Sequence, residues 1–255
     1  MSGWPDAVRL AVGTLTAWPV AAPSAVDRRA GGRAMVLAPL VGAGLGVLGS
    51  GVAWLAGRCG LSTLVAAALT LAVLALATRG LHLDGLADTA DGFAASYDRG
   101  RALEVMRRGD VGPAGAATLV LVLLVQVGAL AQALAQVGAV SVVLAVTASR
   151  LALPVACVRG VPAARPDGLG ATVSGSVPVA AAAAAVLVVA GIGLAPTWSG
   201  HGSGWRGPVA VLCAVLVSGL LVRRAVTRLG GITGDVLGAG VEAALAAALV
   251  VLAVS

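Results

Sequence analysis

Long apolar stretches constrain the fold of this 255-residue chain more than any other feature of its sequence. Seven stretches reach, or nearly reach, the roughly 20 residues that a helix needs to cross the hydrocarbon core of a membrane. They cover residues 34–56, 61–78, 114–136, 137–158, 178–196, 208–222 and 236–254. Five contain no charged residue, whereas the fourth contains Arg150 and the seventh contains Glu242. The sequence therefore predicts an all-α, polytopic integral membrane protein with about seven transmembrane helices, within a range of roughly six to eight.

The composition agrees with this interpretation, because 59% of the residues are hydrophobic and only 11% are charged. A soluble domain has roughly 25% charged residues, so an ordinary soluble protein is excluded. Residues 7–20 are also apolar, but Arg9 interrupts them and Pro19 closes them, which indicates a short interfacial or half-buried helix. The stretch at 208–222 is the shortest of the seven and the weakest prediction of a span. We expect a single membrane-embedded domain over residues 1–255.

The basic residues are distributed unevenly between the connections that join these stretches. If the connections alternate between two sides of a membrane, the side with the N-terminus has 14 of the 17 basic residues. Because basic residues mark the cytoplasmic side, we expect the N-terminus to be inside and the cell membrane to be the location. Ten of the eleven acidic residues fall on the same side. The net charge of +6 then reflects these loops next to a lipid bilayer, so no nucleic-acid partner is expected.

Residue types and spacings exclude several common chemistries. All basic residues are arginines, so there is no lysine for a Schiff base or a Walker A phosphate loop. The two histidines are far apart and the three cysteines lack CxxC spacing, so we expect neither a zinc site nor a disulfide framework. A GxGxxG pattern at 44–49 lies inside an apolar stretch, and we interpret it as helix-packing glycine instead of a nucleotide-binding loop.

Three acidic residues are concentrated in the connection at 79–113, in the sequence HLDGLADTADG (82–92). Asp84, Asp88 and Asp91 have i, i+4 and i+7 spacing, so on a helix they lie within about 60° of one face. Aligned carboxylates repel one another, and a divalent cation offsets this repulsion. Oxygen ligands favour Mg²⁺ or Mn²⁺ over Zn²⁺. The segment therefore predicts a metal or phosphate site, with His82 either touching substrate or packing at the membrane interface.

A second acidic pair lies about 150 residues later, in GGITGDVLGAGVE (230–242). Asp235 and Glu242 are seven residues apart, within roughly 20° of one helix face. Glu242 falls inside an apolar span, where a carboxylate indicates function by default. Pairing of Glu242 with Arg150 inside the membrane is the structural alternative. Since both acidic segments are on one side, they can share a cation site.

Two further segments combine arginine, aspartate and glycine on that side. The first contains Arg107, Arg108 and Asp110, and the second contains Arg165 and Asp167. The fork geometry of guanidinium groups suits an anionic phosphate partner. A positive-inside membrane anchor is the alternative for the first segment.

Five segments together resemble the cobalamin synthase family, also called adenosylcobinamide-GDP ribazoletransferase. They read HLDGLADTADG (82–92), MRRGDVGP (106–113), ASR (148–150), ARPDGLGA (164–171) and GGITGDVLGAGVE (230–242). The segment LTAWPV (15–20) is similar to the opening segment of the family. The motifs follow the family order along nearly the whole chain. The RRGD sequence at 107–110 is similar to one of several versions, which leaves open which of its residues contacts phosphate.

The resemblance implies a Mg²⁺-dependent enzyme that performs the last step of cobalamin assembly. A ribose hydroxyl of α-ribazole, or of its 5′-phosphate, attacks the cobinamide-linked phosphorus of adenosylcobinamide-GDP and expels GMP. Such a displacement needs a metal on the non-bridging oxygens, a carboxylate near the hydroxyl and cations on the leaving nucleotide. The metal ligands expected are Asp84, Asp88, Asp91 and Asp235. The general base is Glu242 or one of the three aspartates of 82–92, and the substrate and phosphate contacts come from His82, Arg107, Arg108, Asp110, Arg150, Arg165 and Asp167.

Two other functions share some of these features. CDP-alcohol phosphotransferases also have aspartates at a membrane face, but their acidic residues are more widely spaced than those of 82–92. A cation-coupled transporter would have intramembrane carboxylates and two similar halves, and the sequence has no internal repeat. The sequence leaves open whether the chain forms a homo-oligomer or contacts other corrinoid enzymes.

Overall fold

The computed structural model describes residues 3–194 and 204–254, and every regular element in these two ranges is a helix. The helices, in chain order, are α1 (Trp4–Leu15), α2 (Arg28–Arg58), α3 (Thr63–Ala77), α4 (Leu81–Ala95), α5 (Arg99–Val105), α6 (Pro113–Gln136), α7 (Val140–Ser149), α8 (Ala152–Ala156), α9 (Gly168–Val173), α10 (Val179–Gly193), α11 (Arg206–Leu229) and α12 (Gly234–Leu252). The prediction of an all-α chain is confirmed.

Helix length and composition support several membrane spans. Four helices, α2, α6, α11 and α12, are long and apolar enough to cross a membrane. Helices α3 and α4 count as a fifth span only if they are taken together, and they meet at a bend of 90°. The apolar helices at 140–156 and 179–193 are shorter than a full span. The described residues thus confirm a polytopic membrane protein, while the count of seven spans stays a prediction.

Two predicted spans differ from the helices that the structure contains. The stretch at 137–158 breaks after α7, because the proline ring of Pro154 in α8 conflicts with the carbonyl of Arg150 four residues earlier. The span predicted at 208–222 is too short, because the helix that contains it, α11, continues to Leu229. The basic residues after position 222 end the apolar stretch, but they do not end the helix, because positive charges stabilise the last turns of a helix through its dipole.

The prediction of a short N-terminal helix is confirmed, but its bounds differ, because α1 begins at Trp4 and ends at Leu15 and residues 16–20 are not helical. The stretch at 178–196 corresponds to α10, and its last two residues lie outside the described part of the chain.

Helix α12 is the centre of the bundle and packs against α4, α6, α7, α8 and α11. Helix α6, in contrast, exposes Leu121 and Leu124 on its outer face. In a membrane such a face contacts lipid, which is as apolar as the side chains themselves.

Close contact between the backbones of α4 and α12 positions the acidic segments. A Cβ atom at Gly85 would lie 2.7 Å from the carbonyl oxygen of Asp235, and one at Gly238 would lie 3.2 Å from Cα of His82. Only glycine allows this approach at the crossing. The chain reaches it through a sharp turn, in which Arg79 and Gly80 have φ angles of 56° and 66°.

Candidate active site

A cavity of about 280 Å³ lies where the start of α4 faces the loops before α9 and α12. Helices α1, α2 and α8 supply its apolar lining, in particular Leu15, Met35 and Leu153. The structure brings together five of the residues predicted to form the site. They are His82, Asp84, Arg165, Asp167 and Asp235.

The loop before α9 and the loop before α12 are hydrogen-bonded to each other through their backbones, and this fixes the positions of the charged residues of the cavity. The backbone N–H of Ala164 donates to the Ile232 carbonyl at 2.9 Å, and the N–H of Ile232 donates to the Pro162 carbonyl at 3.0 Å. A Cβ atom at Gly170 would lie 2.8 Å from the Ile232 carbonyl oxygen, so that contact also requires glycine. These contacts between the two loops hold Arg165 and Asp167 beside the start of α12.

Asp235 and Arg165 form the charged pair of this cavity, with 3.7 Å between Nη1 and Oδ2. The hydroxyl of Thr233 donates to Asp235 Oδ2 at 3.1 Å and also accepts from the Val236 N–H as the N-cap of α12. Arg165 Nη2 donates to the Leu103 carbonyl at 2.8 Å. Arg165 is thereby held between α5 and α12 with its guanidinium next to a carboxylate.

The acidic residues of α4 divide into two groups. Asp84 is exposed and lines the cavity, and Asp88 is buried one turn further along α4. The negative charges of Asp84, Asp235 and Asp91 all act on Asp88, and Arg165 is the cation that opposes them. This excess of negative charge favours a bound cation.

Asp91 points elsewhere, although it shares a helix with Asp84 and Asp88. Its carboxylate oxygens accept the N–H groups of Gly112 at 2.7 Å and Gly115 at 2.8 Å, which are the N-cap residue and an early residue of α6. The carboxylate therefore completes the N-terminus of α6, where free N–H groups favour a negative charge.

A second, more open depression of about 360 Å³ lies beside Asp91 and is lined by Arg108 and Asp110. Arg108 pairs with Glu104 at 2.9 Å, and this hydrogen bond, followed by the charge of Arg101, lowers the pKa of Glu104. Arg107 instead reaches across to Asp167, with its Nη2 at 2.9 and 3.2 Å from the two carboxylate oxygens. The segment at 106–113 is thus connected to the first cavity through the contact between Arg107 and Asp167.

Glu242 and Arg150 lie at a separate, small void of about 20 Å³ that they share with Gln126. Glu242 accepts a hydrogen bond from Gln126 Nε2 at 2.8 Å, and Arg150 Nη1 donates to the Ser149 hydroxyl at 2.8 Å. The described residues contain no Arg150–Glu242 ion pair within 4.0 Å, so the partner of Glu242 in the structure is Gln126. Neither residue lines the cavity of Asp84 and Asp235.

The donor set of the first cavity fits a hard divalent cation. Within residues 3–194 and 204–254, no three His, Cys, Asp or Glu side chains converge as a ready-made metal site. Mg²⁺ is commonly held by one or two carboxylates, with water and substrate phosphates completing its coordination. Asp84 and Asp235 supply two carboxylates to the same cavity, and Asp88 adds negative charge behind them.

Two arginines hold a loop and a helix end in place without having been predicted to do so. Arg99 Nη2 donates to the Ala164 carbonyl at 2.9 Å, next to the Arg165 loop. Arg228 Nη2 donates to the Ser96 carbonyl at 2.6 Å and lies 4.3 Å above the Tyr97 ring. In the sequence both belong to the basic residues of one side, and nothing in their spacing separates them from the others.

Comparison with known proteins extends along the whole chain. The sequence profile of a family described as cobalamin-5-phosphate synthase matches residues 7–253. The adenosylcobinamide-GDP ribazoletransferases of Frankia casuarinae and of a Nocardioides species are both 45% identical to this chain. These alignments cover 97% and 96% of this chain and 94% and 96% of the relatives, respectively.

The enzyme of the same name from Pseudomonas aeruginosa is 38% identical, over 87% of each chain. No solved structure matches this chain. The family match and the relatives together span almost every described helix, and the chain belongs to the cobalamin-5-phosphate synthase family.

Proposed function

We propose that this chain is a membrane transferase that joins adenosylcobinamide-GDP to α-ribazole, or to its 5′-phosphate, and releases GMP. The products are then adenosylcobalamin, or its 5′-phosphate, and the nucleotide. The observation that carries this proposal is the cavity in which Asp84, Asp235 and Arg165 meet, in a chain of this family.

The reaction is a displacement at phosphorus, and its atoms balance within the two substrates. A ribose hydroxyl of the ribazole forms a P–O bond to the cobinamide-linked phosphorus, and the bond from that phosphorus to the GMP oxygen breaks. The hydroxyl proton passes to a carboxylate, and the charge on GMP increases as it leaves. Catalysis of this kind depends mainly on positioning and on stabilising the charge of the phosphoryl oxygens.

The residues around the cavity divide these tasks. Arg165 offers a fixed guanidinium to the phosphoryl oxygens, because its position is set by Leu103 and Asp235. Asp84 lines the cavity and Asp88 lies one turn further along α4, and we assign the proton to one of them. Glu242 and Asp91 are weaker candidates for the base, since each is held by another partner away from the cavity.

We propose Mg²⁺ as the cofactor, held by Asp84 and Asp235. When bound there, it neutralises negative charge on the pyrophosphate and orients it for displacement. The pairing of Arg107 with Asp167 places a second arginine near the same cavity, where it can contact the leaving nucleotide. Arg108 and Asp110 face the second depression and are candidates for the more distant part of the substrate.

We further propose that the site faces the cytoplasm from the cell membrane. The distribution of the 17 arginines supports this orientation, because the predicted alternation of spans assigns the start of α4, the end of α11 and the start of α12 to the arginine-rich side. A site at that face would meet soluble ribazole and release GMP to water.

The test uses purified protein in vesicles supplied with adenosylcobinamide-GDP, α-ribazole and Mg²⁺. We expect release of GMP together with a completed corrinoid, and we expect both to stop with EDTA and in Asp88→Asn. The 5′-phosphate of α-ribazole, used in a parallel reaction, identifies the preferred acceptor. Folded protein that releases no GMP with either acceptor would refute the proposal, and uptake of a solute coupled to a cation would then favour a transporter.

A further inference from the structure

We propose that the cavity of about 280 Å³ is the binding site of the ribazole nucleoside, with His82 as the hydrogen-bonding partner of its aromatic base. The corrinoid nucleotide would remain outside this cavity and present only its pyrophosphate at the charged residues. This inference rests on the proposed function and assigns one of the two substrates to a defined place.

The size of the cavity excludes the corrin part of the second substrate. Pockets for drug-sized molecules have volumes of about 300–1,000 Å³, and this cavity of about 280 Å³ is just below that range. A nucleoside with a two-ring base is small enough for such a space. A corrin ring with its amide side chains and nucleotide is several times larger and cannot enter it.

His82 provides the second observation, because its ring is buried and lines the cavity. The residue is only 3% exposed, and Nε2 has no hydrogen-bond partner among the described residues. A buried polar atom without a partner costs free energy, so an unpaired nitrogen on a residue that lines a cavity leaves a hydrogen bond for a ligand that a small turn of the ring would complete. Neutral imidazole can donate or accept, and it suits the single free ring nitrogen of a benzimidazole-type base.

The apolar part of the lining matches the rest of such a base. Leu15, Met35, Leu153 and Leu237 come from four different helices and are all buried. These side chains suit the methyl-substituted ring edge of α-ribazole. They offer no partner for the exocyclic carbonyl and amine of guanine, which would remain unsatisfied in the same place. The charged part of the lining, with Asp84 and Asp235, is then left for the ribose.

The proposal is tested by equilibrium binding of α-ribazole and, separately, of GMP to the protein in lipid nanodiscs. Met35→Trp fills the cavity from α2, and we expect it to raise the Kd for α-ribazole at least about tenfold. The matched control is Leu40→Trp on the same helix, where the side chain is 70% exposed on the outside of the bundle. The control should bind α-ribazole as the unchanged protein does.

A second variant keeps the test independent of whether tryptophan is tolerated at position 35. His82→Phe retains a ring but removes the nitrogen atoms, so α-ribazole binding should weaken while the KM for adenosylcobinamide-GDP stays the same. Met35→Ala enlarges the cavity, so the preference should shift toward ribosides with bulkier bases. A merely structural role of these residues would not change base preference.

The contrary outcomes are also distinct. If His82→Phe weakens GMP binding or raises the KM for the corrinoid while α-ribazole binds normally, the cavity belongs to the other substrate and the inference is wrong. Absence of α-ribazole binding to the unchanged protein would also refute it. If the unchanged protein binds α-ribazole and Met35→Trp loses this binding, but no GMP is ever released, the proposed function fails while the nucleoside site stands.

Discussion

Substitution of Gly85 by alanine tests whether the contact between α4 and α12 builds the site. A Cβ atom there would lie 2.7 Å from the Asp235 carbonyl oxygen, and ordinary contact begins at 3.4 Å, so the helices must separate by about 0.7 Å. Overpacking of this kind costs about 1–3 kcal/mol, partly offset by roughly 1 kcal/mol from the better helix propensity of alanine. A shift of about 1 Å between reacting groups can cost about 100-fold in rate. We therefore expect Gly85→Ala to lose roughly 10- to 100-fold in GMP release with only a small loss of stability.

The assay compares initial rates of GMP release in vesicles with the thermal unfolding of the same preparations. Gly51→Ala in α2 is the matched control, since no heavy atom lies within 4 Å of its Cβ position. It makes the same chemical change in another helix and should leave the rate unchanged. A Gly85→Ala protein with the full rate would show that the distance between α4 and α12 does not determine the geometry of the site.

Three further substitutions test individual contacts. Asp91→Ala leaves two N–H groups of α6 without their acceptor and should lower the unfolding free energy by about 1–3 kcal/mol, with a smaller loss in Asp91→Asn, as measured by thermal unfolding. Gln126→Leu leaves the buried Glu242 carboxylate without its donor and should cost about 1.5–3 kcal/mol, most of which the double variant with Glu242→Leu should recover in denaturant titrations. Hydrogen bonds from Ser24 lower the pKa of Asp6, so they stabilise the fold above the usual carboxyl pKa and are lost as the pH falls toward the lowered value. Asp6→Asn should therefore flatten the acid side of the stability profile, and an unchanged profile would contradict this assignment.

Much of the helical architecture could be predicted from the sequence, because apolar stretches and their ends are local properties. The failures have local causes that hydropathy does not record. Pro154 breaks a continuous apolar stretch, and α11 extends through arginines that terminate the stretch but not the helix. The helical spacing of Asp84, Asp88 and Asp91 is confirmed, because all three lie in α4. The expectation that His82 precedes the helix is wrong, since α4 begins at Leu81, directly after the turn at Gly80.

The site was predictable in its residue types and only partly in its arrangement. Asp84 and Asp235 were expected to lie on the same side of the membrane, and the structure places them at one cavity. The position of Asp91 depends on where α6 begins, and that of Glu242 on a glutamine in another helix. Such partners come from tertiary packing, which the spacing of residues within one segment cannot show.

Shared action of Asp84 and Asp235 is the central claim, and a double-mutant cycle on Mg²⁺-dependent GMP release tests it most directly. Asp6→Asn removes one negative charge outside the cavity, at a residue that contacts Ser24, and is the control. We expect Asp84→Asn and Asp235→Asn each to lower the rate and to raise the Mg²⁺ concentration required, while the double variant loses little more than either alone. Independent, additive losses, or single variants that keep the full rate without added Mg²⁺, would contradict a common site.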